Sequence, residues 1–213
     1  MHTPIGDNSC KFVARYFSAL LRGYSFMSYI KLFLFLFIFY PGFAASQQID
    51  TTAIKNELAA IFERDQKTRT GSDSAAFMQY IDSCNLATIE SLVAKYGWPG
   101  KSFVGAKGNY TVWLVIQHAD LATQEKYLPL MKESVAKSES RPVDLAYLED
   151  RVKMRKGERQ LYGTQVSFNK TGGQEIWPIE DEINVNARRA KLGLEPMEEY
   201  AKYFGIEYKL PVK

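Results

Sequence analysis

The segment Val112-Trp113-Leu114-Val115-Ile116 carries an apolar side chain at every position. A helix that is apolar all round has no face suited to water, so it is expected to be buried on every side. We predict that this segment is a buried helix that stops near Ala119. On either side of it, apolar residues recur about every 3.6 residues, which predicts further helices and a mainly helical fold.

Three further helices are predicted before this segment. The first runs from Ile49 to Gln66, and the second from Asp73 to Cys84. Asn85 can cap a third helix, which ends at Gly97, because asparagine is favoured at helix N-termini and glycine after helix C-termini. Residues 98–108 contain several glycines and are predicted to be a loop.

After the buried segment, two helices are predicted over Leu121–Lys137, with Asp120 as N-cap, and over Pro142–Lys156, which Gly157 ends. The period then changes to two, which indicates a β-hairpin. Its strands are predicted over Leu161–Phe168 and Gln174–Ile179, and two short helices that stop at Gly193 and Gly205 follow. The predicted fold class is mainly α: a single helical domain over residues 47–213 with one β-hairpin packed against it.

Residues 1–46 have the pattern of a cleaved signal peptide. Leu32–Tyr40 is an apolar run of nine residues, preceded by Lys31 and followed by Pro41-Gly42 and small residues. A membrane-spanning helix needs about 20 apolar residues, so the run is too short to span a bilayer. The signal is complete from Met27 onward, so residues 1–26 are either an extended n-region or precede the true start. We expect export to the periplasm or medium, with no membrane span after cleavage.

The net charge of +3 comes from the predicted signal peptide. Of 27 basic and 24 acidic residues, residues 1–46 hold four basic residues and one acidic residue, and the rest of the chain is neutral. Proteins that bind nucleic acid or an anionic membrane surface usually have an excess of positive charge. We therefore expect no nucleic-acid partner.

Five polar side chains fall on helix faces that are otherwise apolar: His118, Gln124, Asp150, Arg188 and Arg189. A buried amide without a partner costs about 1–3 kcal/mol, and an unpaired buried charge costs more. These residues are therefore expected to bind one another or a ligand. We expect Asp150 to pair with Arg188 or Arg189 through charge-assisted hydrogen bonds, with Gln124 and His118 completing the network.

The first predicted strand contributes further polar candidates. Alternation places Tyr162 and Thr164 on one side and Gln165 on the other, with Gly163 between them. Glycine inside a strand indicates a bulge or a close backbone approach. Tyr162, Thr164 and Gln165 can line the mouth of a pocket, or they can be ordinary core and strand residues.

Five spaced motifs occur between Trp113 and Phe204: Gln117-His118-Ala119-Asp120, Leu145-Ala146-Tyr147-Leu148-Glu149-Asp150-Arg151-Val152, Gln160-Leu161-Tyr162-Gly163-Thr164-Gln165, Trp177-Pro178-Ile179-Glu180-Asp181 and Asn186-Ala187-Arg188-Arg189. In this order they resemble a bacterial family of unknown function, DUF6624. The resemblance implies a bacterial protein with a helical core over about residues 110–205. It implies no activity. Arg151, which lies in the second motif, is also a candidate ligand-binding residue.

Three functions remain open. The first is a non-catalytic binding domain of the cell envelope, whose polar pocket takes a small polar or anionic ligand or a segment of an envelope protein. Its candidate ligand-binding residues are Gln124, Arg151, Tyr162, Thr164, Gln165, Arg188 and Arg189. The second is a hydrolase or lyase with His118 as general acid or base, oriented by Asp120 or Asp150. The third is an interaction protein in which the same polar network is purely structural.

No metal or cofactor is expected from the sequence. After residue 46, His118 is the only histidine and Cys84 the only cysteine, so the usual zinc-ligand clusters cannot form within one chain. A carboxylate site that uses Asp120, Glu180 or Asp181 has no supporting ligand spacing.

Overall fold

The computed structural model of the protein describes residues 50–211, and the predicted signal peptide lies outside them. The described residues form α1 Thr52–Thr70, α2 Ala75–Tyr96, α3 Lys101–His118, α4 Leu121–Ala136, α5 Pro142–Arg155, β1 Val166–Phe168, β2 Gln174–Ile176, α6 Val185–Lys191 and α7 Met197–Tyr200. Short 3-10 turns precede α6 and follow α7. The mainly helical class and the two-stranded antiparallel sheet are confirmed.

Helix α3 lies at the centre of the helical part and packs against α1, α2, α4 and α5. Residues 112–116 are all buried, and Val112 and Ile116 are fully inaccessible to solvent. The prediction of a buried helix that stops near Ala119 is confirmed, since Ala119 adopts an extended conformation. Around this helix, apolar side chains from all five long helices form the larger hydrophobic core.

The two helices predicted between residues 73 and 97 are one continuous helix, α2. Ser74 is its N-cap and accepts a hydrogen bond from the backbone N–H of Phe77 at 3.2 Å. Asn85 is buried inside the helix, where its Oδ1 accepts hydrogen bonds from Arg64 of α1. The predicted Asn85 cap is wrong because a tertiary partner, and not the local backbone, uses that side chain.

The loop predicted over residues 98–108 is also shorter than expected, because α3 begins at Lys101. Its first N–H groups bind Glu139: Lys101 donates to the carbonyl oxygen and Ser102 to the carboxylate at 2.8 Å. Gly105 has a φ of +78° inside the helix, so α3 is kinked there. The cap comes from a residue distant in sequence, which no local pattern could indicate.

Helices α4 and α5 follow the prediction closely. Asp120 caps α4 by accepting a hydrogen bond from the N–H of Thr123 at 2.8 Å, and α4 continues through Pro129. Among residues 50–211, no helix combines the length and the apolar character needed to cross a membrane.

The hairpin is shorter than predicted. Val166 pairs with Ile176 and Phe168 with Gln174, whereas residues 161–165 form no strand. The side-chain alternation expected over residues 161–165 therefore does not apply. Most of the hairpin is exposed. Behind it lies a second, smaller core built from Ile179, Val185, Met197 and Tyr200.

Candidate functional site

His118 is the last residue of α3, and its side chain meets helices α1 and α2. The Nδ1 atom lies 3.1 Å from Oδ1 of Asp65, whose side chain is only 1% exposed. The imidazole is 23% exposed, so solvent reaches it. Asp65 and Arg69 of α1, Asp82 of α2 and His118 together are called the His118 cluster below.

Arg69 occupies the middle of the His118 cluster. Its Nη2 atom lies 3.0 Å from Oδ1 of Asp65, 2.7 Å from Oδ1 of Asp82 and 2.5 Å from Nδ1 of His118. One guanidinium nitrogen thus contacts three acceptor atoms from three helices. Two carboxylates thus face one guanidinium group, and the contacts of Arg69 connect α1, α2 and α3.

The electrostatics of the cluster favour an ionised Asp65. Burial alone raises the pKa of this carboxyl group, but hydrogen bonds from His118 and Arg69 outweigh the burial. The pKa of Asp65 therefore lies below its ordinary value. When Nδ1 carries the proton, the buried Asp65 carboxylate accepts its hydrogen bond and fixes the orientation of the imidazole ring.

Arg151 extends from α5 and lies within electrostatic range of the His118 cluster. Burial lowers the pKa of Arg151, and the charges of Arg155 and Arg69 lower it further. Its Nε atom is buried, and it has no hydrogen-bond partner among residues 50–211. Nor does the guanidinium form an ion pair with any acid in that part of the chain. Arg155 donates at 2.6 Å to the carbonyl oxygen of Ala119, the residue that follows His118.

Asp150 lies elsewhere, in a sealed contact between α5 and residues 161–164. Its carboxylate accepts hydrogen bonds from the N–H groups of Leu161, Tyr162 and Thr164 at 2.7–3.1 Å and from the Thr164 hydroxyl at 2.9 Å. The side chain is fully buried. Burial raises the pKa of Asp150, although all four donors favour the charged form.

Arg188 and Arg189 do not pair with Asp150, so that prediction is wrong. Arg188 donates to the carbonyl oxygen of Leu161 at 2.8 Å, and Arg189 to that of Tyr162 at 2.6 Å. The carboxylate and the two arginines thus bind opposite polar groups of one peptide segment. This arrangement of Asp150, Arg188 and Arg189 around residues 161–164 is called the 161–164 clamp below.

The remaining predicted site residues are dispersed. Gln124 is buried and donates to the carbonyl oxygens of Gln117 and Ile116, so it does not join Asp150 as expected. Gln165 donates to the Thr164 hydroxyl at 3.0 Å, and Tyr162 contributes its backbone to the clamp. Asp120 is exposed at the α4 N-terminus, where the hydrogen bond from Thr123 lowers the pKa of its carboxyl group. The clamp therefore unites Asp150, Tyr162, Thr164, Arg188 and Arg189, but not His118 or Arg151.

Sequence reasoning missed Asp65, Arg69 and Asp82. A usable signal was present in α1, whose buried positions Ile54, Leu58, Ile61, Asp65 and Thr68 follow one helical stripe. Asp65 therefore continues an apolar face, the same criterion that drew attention to Asp150. The sequence pattern does not single out Asp82, because its side chain is 29% exposed and so does not interrupt a buried apolar face. Asp82 joins the cluster through its ion pair with Arg69.

Comparison with known proteins assigns a family to this chain. A sequence model described as a family of unknown function, DUF6624, matches residues 48–213. The match is longer than the resemblance over residues 113–204 and includes α1 and α2, which carry three members of the His118 cluster. No curated protein and no solved structure matches the chain. The protein therefore belongs to the DUF6624 family of unknown function.

Proposed function

We propose that the protein binds a small anionic ligand through Arg151, beside the His118 cluster. The observation that carries this proposal is the Arg151 guanidinium, whose buried Nε atom has no hydrogen-bond partner in residues 50–211. Arg151 as a whole is only partly buried, but a buried N–H group without an acceptor is costly, and most such groups in proteins are hydrogen-bonded. A carboxylate or phosphate group would supply the missing acceptor, because both bind guanidinium in a bidentate manner.

The surroundings of Arg151 favour an anion over a neutral ligand. Besides burial, the charges of Arg155 and Arg69 lower the pKa of Arg151, so two other positive charges lie within electrostatic range of Arg151. Arg69 forms ion pairs with Asp65 and Asp82, whereas Arg155 donates only to a backbone carbonyl among the described residues. Among residues 50–211, Arg151 and Arg155 form no ion pair with a carboxylate, and the acid within electrostatic range of Arg155 is the exposed Asp120.

Replacement of Arg151 by glutamine is expected to weaken anion binding by about 10–100-fold, since a hydrogen bond to a charged group contributes about 1.5–3 kcal/mol. Isothermal titration calorimetry with inorganic phosphate and with citrate measures the effect. Lys191→Gln removes the same charge from an exposed position on α6 and should leave binding unchanged.

The stability of Arg151→Gln is a second readout. Because the guanidinium has no acid partner within residues 50–211, its removal should not lower the free energy of unfolding. Equal affinity of the wild-type protein and Arg151→Gln for both anions would contradict the proposal. So would the absence of any binding to the wild-type protein.

A second candidate function, a hydrolase or lyase, is favoured by the Asp65–His118 hydrogen bond. A buried carboxylate that orients a solvent-accessible imidazole is a common arrangement for general acid–base catalysis. Asp65 takes the orienting role that the sequence suggested for Asp120 or Asp150. In this case His118→Gln should abolish turnover of a phosphate or carboxylate ester, measured by product release, and leave phosphate binding at Arg151 intact. Ester turnover that persists in His118→Gln would exclude this role.

A further inference from the structure

We propose that Asp65, Asp82 and His118 form a binding site for a divalent transition metal ion, with Zn²⁺ as the preferred ion, and that Arg69 occupies this site when the metal is absent. The proposal goes beyond anion binding at Arg151 and does not depend on it. It concerns residues that the sequence alone did not bring together, since Asp65, Asp82 and His118 come from three different helices.

The three ligand atoms lie close together. One oxygen of each carboxylate and the Nδ1 atom of His118 all lie within 4.8 Å of one another. Ligand atoms bound to Zn²⁺ at about 2.0–2.2 Å in tetrahedral geometry are about 3.3–3.6 Å apart. Once Nη2 of Arg69 leaves the space between them, small side-chain rotations are enough to bring the three atoms into coordination distance.

Arg69 faces more acceptor atoms through Nη2 than this atom has hydrogen atoms. Its Nη2 atom carries two hydrogen atoms, yet it contacts three acceptors: Oδ1 of Asp65, Oδ1 of Asp82 and Nδ1 of His118. The Nδ1 atom is shared in the same way, because it cannot accept from Arg69 and donate to Asp65 at the same time. A metal ion accepts lone pairs from all three atoms at once. It therefore gives each of the three atoms a partner, which the two hydrogen atoms of Nη2 cannot do.

The cluster is open to solvent, and its ligand atoms suit a transition metal ion. Arg69 is 25% exposed and His118 is 23% exposed, so an ion can enter from solvent and the arginine can leave. One imidazole nitrogen and two carboxylate oxygens suit Zn²⁺ and related transition metals better than Mg²⁺ or Ca²⁺, which prefer oxygen ligands alone. Three protein ligands leave one tetrahedral position open for water or a bound anion, as in catalytic zinc sites.

Zn²⁺ titration of the purified, tag-free protein against a chromophoric chelator tests the proposal. We expect one Zn²⁺ per chain, and at least about tenfold weaker binding by Asp82→Asn and by His118→Gln. Arg69→Met should bind Zn²⁺ more tightly than the wild-type protein, because the competing cation is gone. Glu90→Gln is the matched control, since Glu90 is a carboxylate on α2 that pairs with Lys126 and should not affect the affinity.

The Arg69 variant gives the sharpest result. A site that is only an ion-pair cluster would lose stability in Arg69→Met and gain no metal affinity. If Arg69→Met does not fold alone, added Zn²⁺ should restore its helical circular dichroism. The proposal is overturned by the absence of stoichiometric binding, by equal affinity in Asp82→Asn and His118→Gln, or by weaker binding in Arg69→Met. Phosphate binding measured without Zn²⁺ reports on Arg151 separately, so the two proposals can fail independently.

Discussion

Asp150→Asn is expected to lower the free energy of unfolding by about 2–4 kcal/mol. The carboxylate is fully buried and accepts hydrogen bonds from three backbone N–H groups and one hydroxyl group. Asparagine keeps the shape but replaces one oxygen by an NH₂ group, which is a donor. That donor would face the N–H groups of Tyr162 or Thr164 and leave them without an acceptor. Urea denaturation followed by circular dichroism measures the loss.

Asp144→Asn is the matched control, because Asp144 is also a buried aspartate on α5. Burial raises the pKa of Asp144 to about 6, and its ion-pair partner Arg141 is largely exposed. A carboxyl group with a raised pKa stabilises the fold below its ordinary pKa of 3.8 and loses that contribution as the pH rises through about 6. At pH 7 the Asp144 carboxyl group is therefore ionised at a cost to the fold, and asparagine, which stays neutral, should leave the free energy of unfolding unchanged or raise it. Similar losses in both variants would show that burial alone, and not the 161–164 clamp, explains the effect at Asp150.

Gly163→Ala is expected to destabilise the protein by about 2–5 kcal/mol. Gly163 has a φ of +71°, a conformation that costs an alanine about 1–2 kcal/mol. An added Cβ atom would also lie 2.4 Å from Sδ of Met197 and 3.0 Å from Cδ1 of Ile179. Met197 is flexible, but it is fully buried in the second core and cannot move without displacing its neighbours. Differential scanning calorimetry measures the result.

Gly157→Ala separates the two causes. Gly157 has a φ of +75°, but no atom lies within 4 Å of an added Cβ. Its substitution should therefore cost only the conformational part, about 1–2 kcal/mol. The difference between the two variants gives the cost of the collision with Met197 and Ile179. If Gly163→Ala were no worse than Gly157→Ala, the second core would be able to repack around the extra methyl group.

Hydrophobic period predicts most of the helical part from the sequence. Residues 112–116 are apolar on all sides and are buried as expected, and Asp120 caps α4 as expected. The errors occur where a distant residue satisfies the backbone or a side chain. Glu139 caps α3 inside the predicted loop, and Arg64 binds Asn85 inside α2. Such partners depend on the tertiary structure, so no local pattern contains them.

For the polar residues, too, the sequence predicts which side chains are buried but not which residues they bind. The sequence identifies Asp150 and Arg189 as charges on apolar faces, and both are fully buried. The expected ion pair does not form because the backbone of residues 161–164 lies between the charges and supplies both donors and acceptors. For His118, the sequence names the residue but not its partners, because Asp65 and Asp82 are 53 and 36 positions earlier in the chain.

The 161–164 clamp binds mainly main-chain atoms, and this determines which substitutions, insertions and deletions the segment tolerates. Apart from the Thr164 hydroxyl, its hydrogen bonds use N–H and C=O groups, which every residue except proline provides. The side-chain identities of Leu161 and Tyr162 are therefore only weakly constrained by the clamp. The spacing is strictly constrained: insertion or deletion of one residue between α5 and Thr164 would shift the N–H groups away from Asp150 and the carbonyls away from the arginines. The number of residues in this segment is therefore more strongly constrained than the identity of its side chains, the reverse of the situation in a hydrophobic core.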